Sequence, residues 1–381
     1  QYRLGEMVRR GLEHVLPRRD RPPTGTWPTQ PNTVIPETPA IREKPFLKHS
    51  AAAGWSLHLP ALRKNTKGIN WDDSVAAGTD LPLGLFHVAR PGPGVAASLN
   101  AALAEGKHLL LTPGIYYLDE PLKVTAPGAV LFGLGMATLV PTNGTAALEL
   151  ADEDGMTVSG IVIDAGPKES PVLLRVGPAN STKDHAANPT VIHDVFFRVG
   201  GSRLGSAAVT MEVNSSGVLL DHLWIWRADH GNGVLWDGNR GKNGLIVRGK
   251  DVTAYGLFVE HFQEYQTLWE GENGRTYFYQ CELPYDPPSQ DLWQHDGVKG
   301  WAGYKVAPTV KTHAAHGLGV YSAFIEPVQS DHAIEAPEAP GVTFEHAVTI
   351  WLTGAAGSSI NNVLNTTGGA VSKTKPKATI D

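Results

Sequence analysis

The chain has 381 residues, 41% hydrophobic and 18% charged, with a formal net charge of -6. That is enough to bury a core in one large domain or two ordinary ones, and the mild acidity argues against nucleic acid, whose binding surfaces cluster Lys and Arg. No run approaches eighteen apolar residues, so no membrane span is expected, and the single cysteine, Cys281, excludes an intrachain disulfide or a CxxC motif.

In chain order, residues 1–16 have the apolar spacing of a short helix, with Leu4, Met7, Val8, Leu12, Val15 and Leu16 roughly on one side. Eight prolines between Pro17 and Pro45 then predict an extended arm with no interior strand. Residues 46–93 are mixed and predict no clear element. The start at Gln1, without a visible signal peptide, is expected of a processed product or a piece of a longer chain.

From Gly94 the pattern sharpens. "GVAASLNAALAEGK" sets Val95, Leu99, Ala102 and Leu103 on one helical face and stops at Gly106. The strands "HLLLTPG" and "YYLDEPLKV" follow, the order expected when a short helix caps the open end of a β-solenoid. Strand-like segments recur from 129, 155, 191, 217, 251, 274, 309 and 341, at steps of 26, 36, 26, 34, 23, 35 and 32 residues. A coil of about 22 residues with loops of varying length accounts for that scatter. The expected fold is all-β: a right-handed parallel β-helix over 94–369, preceded by a lead-in at 1–93 and followed by a tail at 370–381. A β-propeller is the alternative, but no blade repeat of about 40 to 45 residues is visible.

Glu260 in "GLFVEHFQEYQ" and Glu282 in "YFYQCELPYDPP" lie 22 residues apart, one coil. Adjacent rungs are about 4.8 Å apart, so the two carboxylates are expected to share a face. Alternation puts Phe258, Glu260 and Phe262 outside with Phe278, Gln280 and Glu282, leaving Tyr277, Tyr279 and Cys281 inside. Two close carboxylates do not both ionise easily, and a raised pKa keeps one acid protonated for glycosidic chemistry. The plainer reading makes both ordinary residues of a solvated sheet. Trp224, Trp226, Trp236, Trp269, Trp293 and Trp301 cluster around these rungs with Tyr285. Flat rings suit sugar faces, although each Trp also suits the core. "RADHGNG" sets Asp229 beside His230 in a turn. His313 and His316 lack any accompanying ligand pattern, so no metal or cofactor is expected.

The stretches "NAALAEGKHLLLTPGIYYLDEP", "DHLWIWRADHG" and "GLFVEHFQEYQTLWEGENGRTYFYQCELPYDPP" resemble glycoside hydrolase family 55, the β-1,3-glucanases with pectin-lyase-like β-helices. The resemblance spans roughly Leu81 to Gly369. It implies an inverting β-glucan hydrolase, secreted, with Glu282 matching the general acid and Glu260 a second carboxylate that tunes the acid or holds substrate. Tyr285, Trp269, Trp226, His230, Gln263 and Trp293 would line the sugar site. In that family two β-helices flank the cleft, and only the second is recognisable here. An upstream β-helix domain or a partner chain is therefore expected to complete the site. The alternative is a non-catalytic glycan-binding or surface-structural β-helix.

Overall fold

The computed structural model describes residues 15–17, 33–67 and 77–381. From Phe86 onward the chain winds as a parallel β-helix. The strands Phe86–Ala89, His108–Leu111, Val130–Pro141, Thr157–Asp164, Val191–Val199 and Leu219–Arg227 stack as parallel neighbours. Thr253–Glu260, Gly274–Glu282, Thr312–Ser322 and Gly341–Trp351 continue the ladder. A second ladder runs from Leu122–Val124 to Ile334–Glu335 and closes another side of each coil. Each rung contributes one residue to an inward column, which reads Leu131, Val158, Ile192, Leu220, Ala254, Thr276, Ala315 and Phe344. The in-register stacking of such positions forms one continuous apolar core.

The long strands are bent rather than straight. Gly160, Asp194, His222, Gly256, Phe278, Gly317 and His346 all have positive φ, between 49° and 72°. They fall at equivalent heights: Tyr255↔Tyr277 and Leu257↔Tyr279 pair on either side of Gly256 and Phe278. A left-handed residue turns the strand and resets its in/out alternation. This corrects two expectations. Tyr277 faces outward, half-buried, stacked 5.3 Å from both Tyr255 and His316. Phe262 is wholly buried, because His261 before it turns the chain again at φ 67°. Beyond the bend, Tyr279 and Cys281 are fully buried while Gln280 and Glu282 take the other face.

The parallel sheet begins at Phe86, eight residues before the boundary expected at 94. Helix Val95–Ala104 follows, burying Val95, Ala96, Leu99, Ala102 and Leu103. At the other end Lys377–Ile380, part of the expected tail, adds an antiparallel strand to Gly341–Trp351. Upstream, Val15–Pro17 is a strand paired with Thr33–Ile35 and not the end of a helix. The rest of the expected helix, and most of the first half of the arm, lie outside the described residues. Phe46–Ser50, Gly54–Pro60 and Gly78–Pro82 form an antiparallel sheet. Its Leu57 packs with Phe86, Leu110 and Val130.

Residues 38–44 cross the long sheet before its bend. Tyr255 Oη donates to Ala40 O at 2.7 Å, His193 Nε2 meets Arg42 O at 2.8 Å, and Lys44 pairs with Asp194 at 2.7 Å. A cavity of about 230 Å³ lies between Ile35, Thr38, Pro39 and Ile41 on one side and Tyr255, Tyr277 and Phe278 on the other. Arg42 Nη2 also donates to Asn188 Oδ1 at 2.8 Å, and Lys64 Nζ to Ala186 O at 2.8 Å.

The loop that receives these two cations is held by buried His185, whose Nδ1 lies 2.6 Å from Asp154 and Nε2 2.9 Å from Asp152. Burial alone would lower the histidine's pKa, but the bonds to Asp154 and Asp152 outweigh it and leave the pKa raised. Burial likewise opposes ionisation of Asp152, yet Ser215, His185 and two backbone N–H groups hold its pKa to about 2. The raised histidine contributes stability below its unfolded pKa and loses it as pH rises through the folded one; the depressed aspartate loses its contribution as pH falls toward about 2. Raising pH through the histidine's folded pKa should therefore loosen residues 178–190 first. Amide exchange in this loop should quicken with pH beyond the intrinsic rate, and His185→Gln should abolish the extra dependence. An unchanged protection factor would contradict the latch.

Candidate active site

Past the bend, the outward positions form two columns along the long sheet. One reads Phe196, Trp224, Phe258 and Gln280; the other reads Asp164, Arg198 and Trp226, with Trp226 paired in turn to Glu260. The 22-residue offset seen in Phe258↔Gln280 carries Glu260 one rung below Glu282. His261 N donates to Glu282 O at 2.8 Å, which fixes the two strand ends against each other. The one-coil spacing thus brings both carboxylates onto one face.

Their surroundings differ from those of surface acids. Trp224 Nε1 donates to Glu260 Oε2 at 2.8 Å. Tyr285 Oη donates to Glu282 Oε2, and Gln280 Nε2 lies 3.5 Å from Glu282 Oε1. Burial, then the charges of Glu260 and Asp229, push the Glu282 carboxyl up to about 7. Burial also raises Glu260, against the lowering effect of its bonds from Trp224 and Gln280. Asp229 is the third carboxylate of the group. Its Oδ1 lies 2.8 Å from His230 Nδ1 and 3.8 Å from His261 Nε2. His261 is itself driven down to about 4 by burial, so it is a neutral imidazole near neutral pH. Its ring meets that of Tyr285 edge-on, with centroids 4.5 Å apart.

The turn carrying Tyr285 is tied from two sides. Ile325 N donates to Tyr285 O at 2.8 Å, and Arg227 Nη1 to Asp286 Oδ1 at 3.2 Å. Arg227 is fully buried and also bonds the carbonyls of Asn239, His261, Leu235 and Trp236. One guanidinium thereby joins the loop after Trp226, the strand end at Glu260 and the proline-rich turn after Glu282. Nothing in the local sequence pattern marks Arg227 for this role.

Of the residues expected to bind sugar, Tyr285 and His230 are at the carboxylates. His230 is exposed, and its ring lies 5.2 Å from Trp226. Trp226 is on the face but only 8% exposed, stacked 5.1 Å from Trp224, so Trp224 is the indole that reaches a carboxylate. Three expectations are corrected. Trp269 is fully buried in the core beside Tyr304 and His313. Trp293 is fully buried against Phe324, its Nε1 donating to Gln263 O at 3.0 Å. Gln263 spends its amide on backbone, accepting from Gly241 N and donating to Trp236 O. Trp269 and Trp293 have no side-chain surface to offer a ligand, and half-buried Gln263 has its amide engaged by backbone. Among the described residues no cluster of His, Cys, Asp and Glu has the arrangement to hold a metal ion, and no helix is long and apolar enough to cross a membrane.

Similar proteins share this frame. An exo-beta-1,3-glucanase of Streptomyces sp. (strain SirexAA-E / ActE) is 44% identical over 334 residues, which are 87% of this chain and 55% of that protein. The solved structure of sacteLam55A from Streptomyces sp. SirexAA-E superposes with a TM-score of 0.89 at 41% identity, over 94% of this chain and 65% of that one. A single-residue variant of sacteLam55A in complex with glucose matches equally well. The chain therefore spans a little over half the length of the curated relative and just under two thirds of the solved one. The family model for the LAM55 pectate lyase-like domain matches residues 86–282, from the first parallel strand to Glu282. The chain belongs to the LAM55 pectate lyase-like family, in keeping with the likeness to glycoside hydrolase family 55 read from its sequence.

Proposed function

We propose that this chain carries the acid side of a β-1,3-glucanase site, with Glu282 as the general acid. The observation that supports this best is a carboxyl with a pKa of about 7, raised by burial and by Glu260 on the next rung. Such an acid keeps its proton near neutral pH, as protonation of a glycosidic oxygen requires. Tyr285 bonds Oε2 and Gln280 Nε2 lies 3.5 Å from Oε1, so both oxygens are oriented by neighbouring side chains. Glu260 lies about one rung away, roughly 4.8 Å, closer than the 6.5–9.5 Å that leaves room for an activated water in an inverting enzyme. Its role is to hold the Glu282 proton and the Trp224 indole in place. The groups that hold the water come from a second β-helix flanking the cleft, in the same polypeptide or a partner chain.

The same reading makes the coil right-handed, the hand taken by nearly all parallel crossovers. Helix Val95–Ala104 is its end cap and residues 33–45 a docked arm, and the enzyme acts outside the cell on β-glucan. Glycan binding without catalysis is the second reading, favoured by the aromatic rings of Trp224, Trp226 and His230 grouped beside the carboxylates. Incubation with laminarin separates the two. Release of reducing sugar supports the hydrolase, and retardation in a laminarin gel without release supports a binding module. Neither effect would end both readings.

A further inference from the structure

The outward column that holds Glu260 continues toward the N-terminal end of the solenoid through Trp226, Arg198 and Asp164. Asp164 is a buried carboxylate, 1% exposed, and Arg198 forks onto it through Nε at 2.6 Å and Nη2 at 2.9 Å. Ser202 Oγ adds a bond at 2.9 Å. These contacts already satisfy Asp164. A second guanidinium nevertheless sits over it, with Arg203 Nε 3.4 Å from Oδ2. Arg203 is held by Tyr117, donating to its hydroxyl at 3.0 Å and lying 5.5 Å from its ring centre. Among the described residues neither arginine has another carboxylate partner, so two positive charges share one negative charge. The excess stands out on a chain of net charge -6. Arg198 and Arg203 are 34% and 25% exposed, and the Tyr117 ring beside them is 54% exposed.

We propose that Arg198 and Arg203, mounted on Asp164 beside Tyr117, form an anion-accepting subsite for a sugar chain carrying a carboxylate, sulfate or phosphate group. The site lies on the same face as the carboxylate pair, three rungs or about 14 Å from Glu282. A glycan seated there would cross the rung of Trp224 and Trp226 and that of Glu260 between the arginines and the acid. Guanidinium forks suit planar or tetrahedral oxyanions, and the adjacent exposed ring suits the sugar that bears them. A tie for the loop at 200–205 would need only Arg198 and Ser202. Arg203 brings charge that the tie does not use. This proposal rests on the glycan-binding reading of the face and narrows it to a substituted substrate.

The test titrates the whole chain, by tryptophan fluorescence, with a neutral β-1,3-linked glucose oligomer, its sulfated form, a glucuronate-bearing form, and free sulfate. The expected preference for an anionic over the neutral oligomer is about tenfold at low salt, the strength of one charge-assisted hydrogen bond. The sulfated and glucuronate-bearing arms show which anion is preferred. The gap should close between about 10 mM and 1 M salt as screening shortens from roughly 30 to 3 Å. Arg203→Ala keeps the Arg198–Asp164 fork and should bring the ratio near one, while Arg203→Lys should retain part of it. A wild-type ratio near one, or a ratio that Arg203→Ala leaves in place, overturns the subsite even when the neutral oligomer binds. If no oligomer binds but Arg203→Ala weakens free sulfate binding, the glucan reading fails and the anion site stands. Absence of sulfate binding as well sinks both.

Discussion

Glu282→Gln should lower β-glucan turnover by roughly 10²- to 10⁴-fold while leaving the fold intact, the usual size of a lost general acid. The amide keeps the shape and the bond from Tyr285 but has no proton to give. Stability should move the other way. The folded pKa of about 7 lies above the ordinary carboxylate value, so the native state holds a proton that the unfolded chain releases. Native stability therefore falls as pH rises from the ordinary value toward 7, and the neutral glutamine escapes that loss. Above neutral pH the variant should be the more stable protein and the poorer enzyme. Glu260→Gln should shift the alkaline limb of the wild-type pH–rate profile to lower pH, because it removes the second-largest cause of Glu282's raised pKa. Activity assays and urea midpoints at pH 5 and 8 would check both effects. A stability difference between wild type and Glu282→Gln that is the same at the two pH values would mean that the acid is not perturbed.

Arg227→Met should be the most destabilising single change near the site. Methionine fills much of the same volume but offers no donors. It would strand the carbonyls of Leu235, Trp236, Asn239 and His261 and leave Asp286 unpaired. Breaking a buried charged network in this way costs about 3–5 kcal/mol. The loop carrying Asp229 and His230 and the turn carrying Tyr285 both depend on it, so turnover should fall although Arg227 touches neither carboxylate. The urea midpoint at unchanged slope would measure the loss. A change under about 1 kcal/mol would show that the loops hold themselves.

The solenoid is legible in the chain because every coil repeats the same demand, an apolar residue at each inward position. The 22 residues between Glu260 and Glu282 contain that demand once, so counting places the pair correctly. Local alternation fails where the backbone turns. Phe278 and His261 adopt left-handed φ without being glycine, so Tyr277 and Phe262 are placed on the wrong sides. Trp269 and Trp293 fail for a different reason. Composition shows that indoles are near the site, but only the second ladder and the chain after Glu282 send these two inward. The hairpin Phe46–Ser50 and Gly54–Pro60 is short and half-exposed, with little periodicity to read. Arg227's role arises from four carbonyls of two segments and a carboxylate of a third, a pattern that no one-dimensional spacing carries.

Direct titration of the Glu282 carboxyl tests the account most sharply. Carbon-13 spectra of glutamate-labelled protein, with Glu282→Gln used for assignment, follow this one group across pH. The expected midpoint is about 7, and it should fall when Glu260 becomes glutamine. A midpoint at the ordinary carboxylate value, unmoved by that substitution, would contradict it.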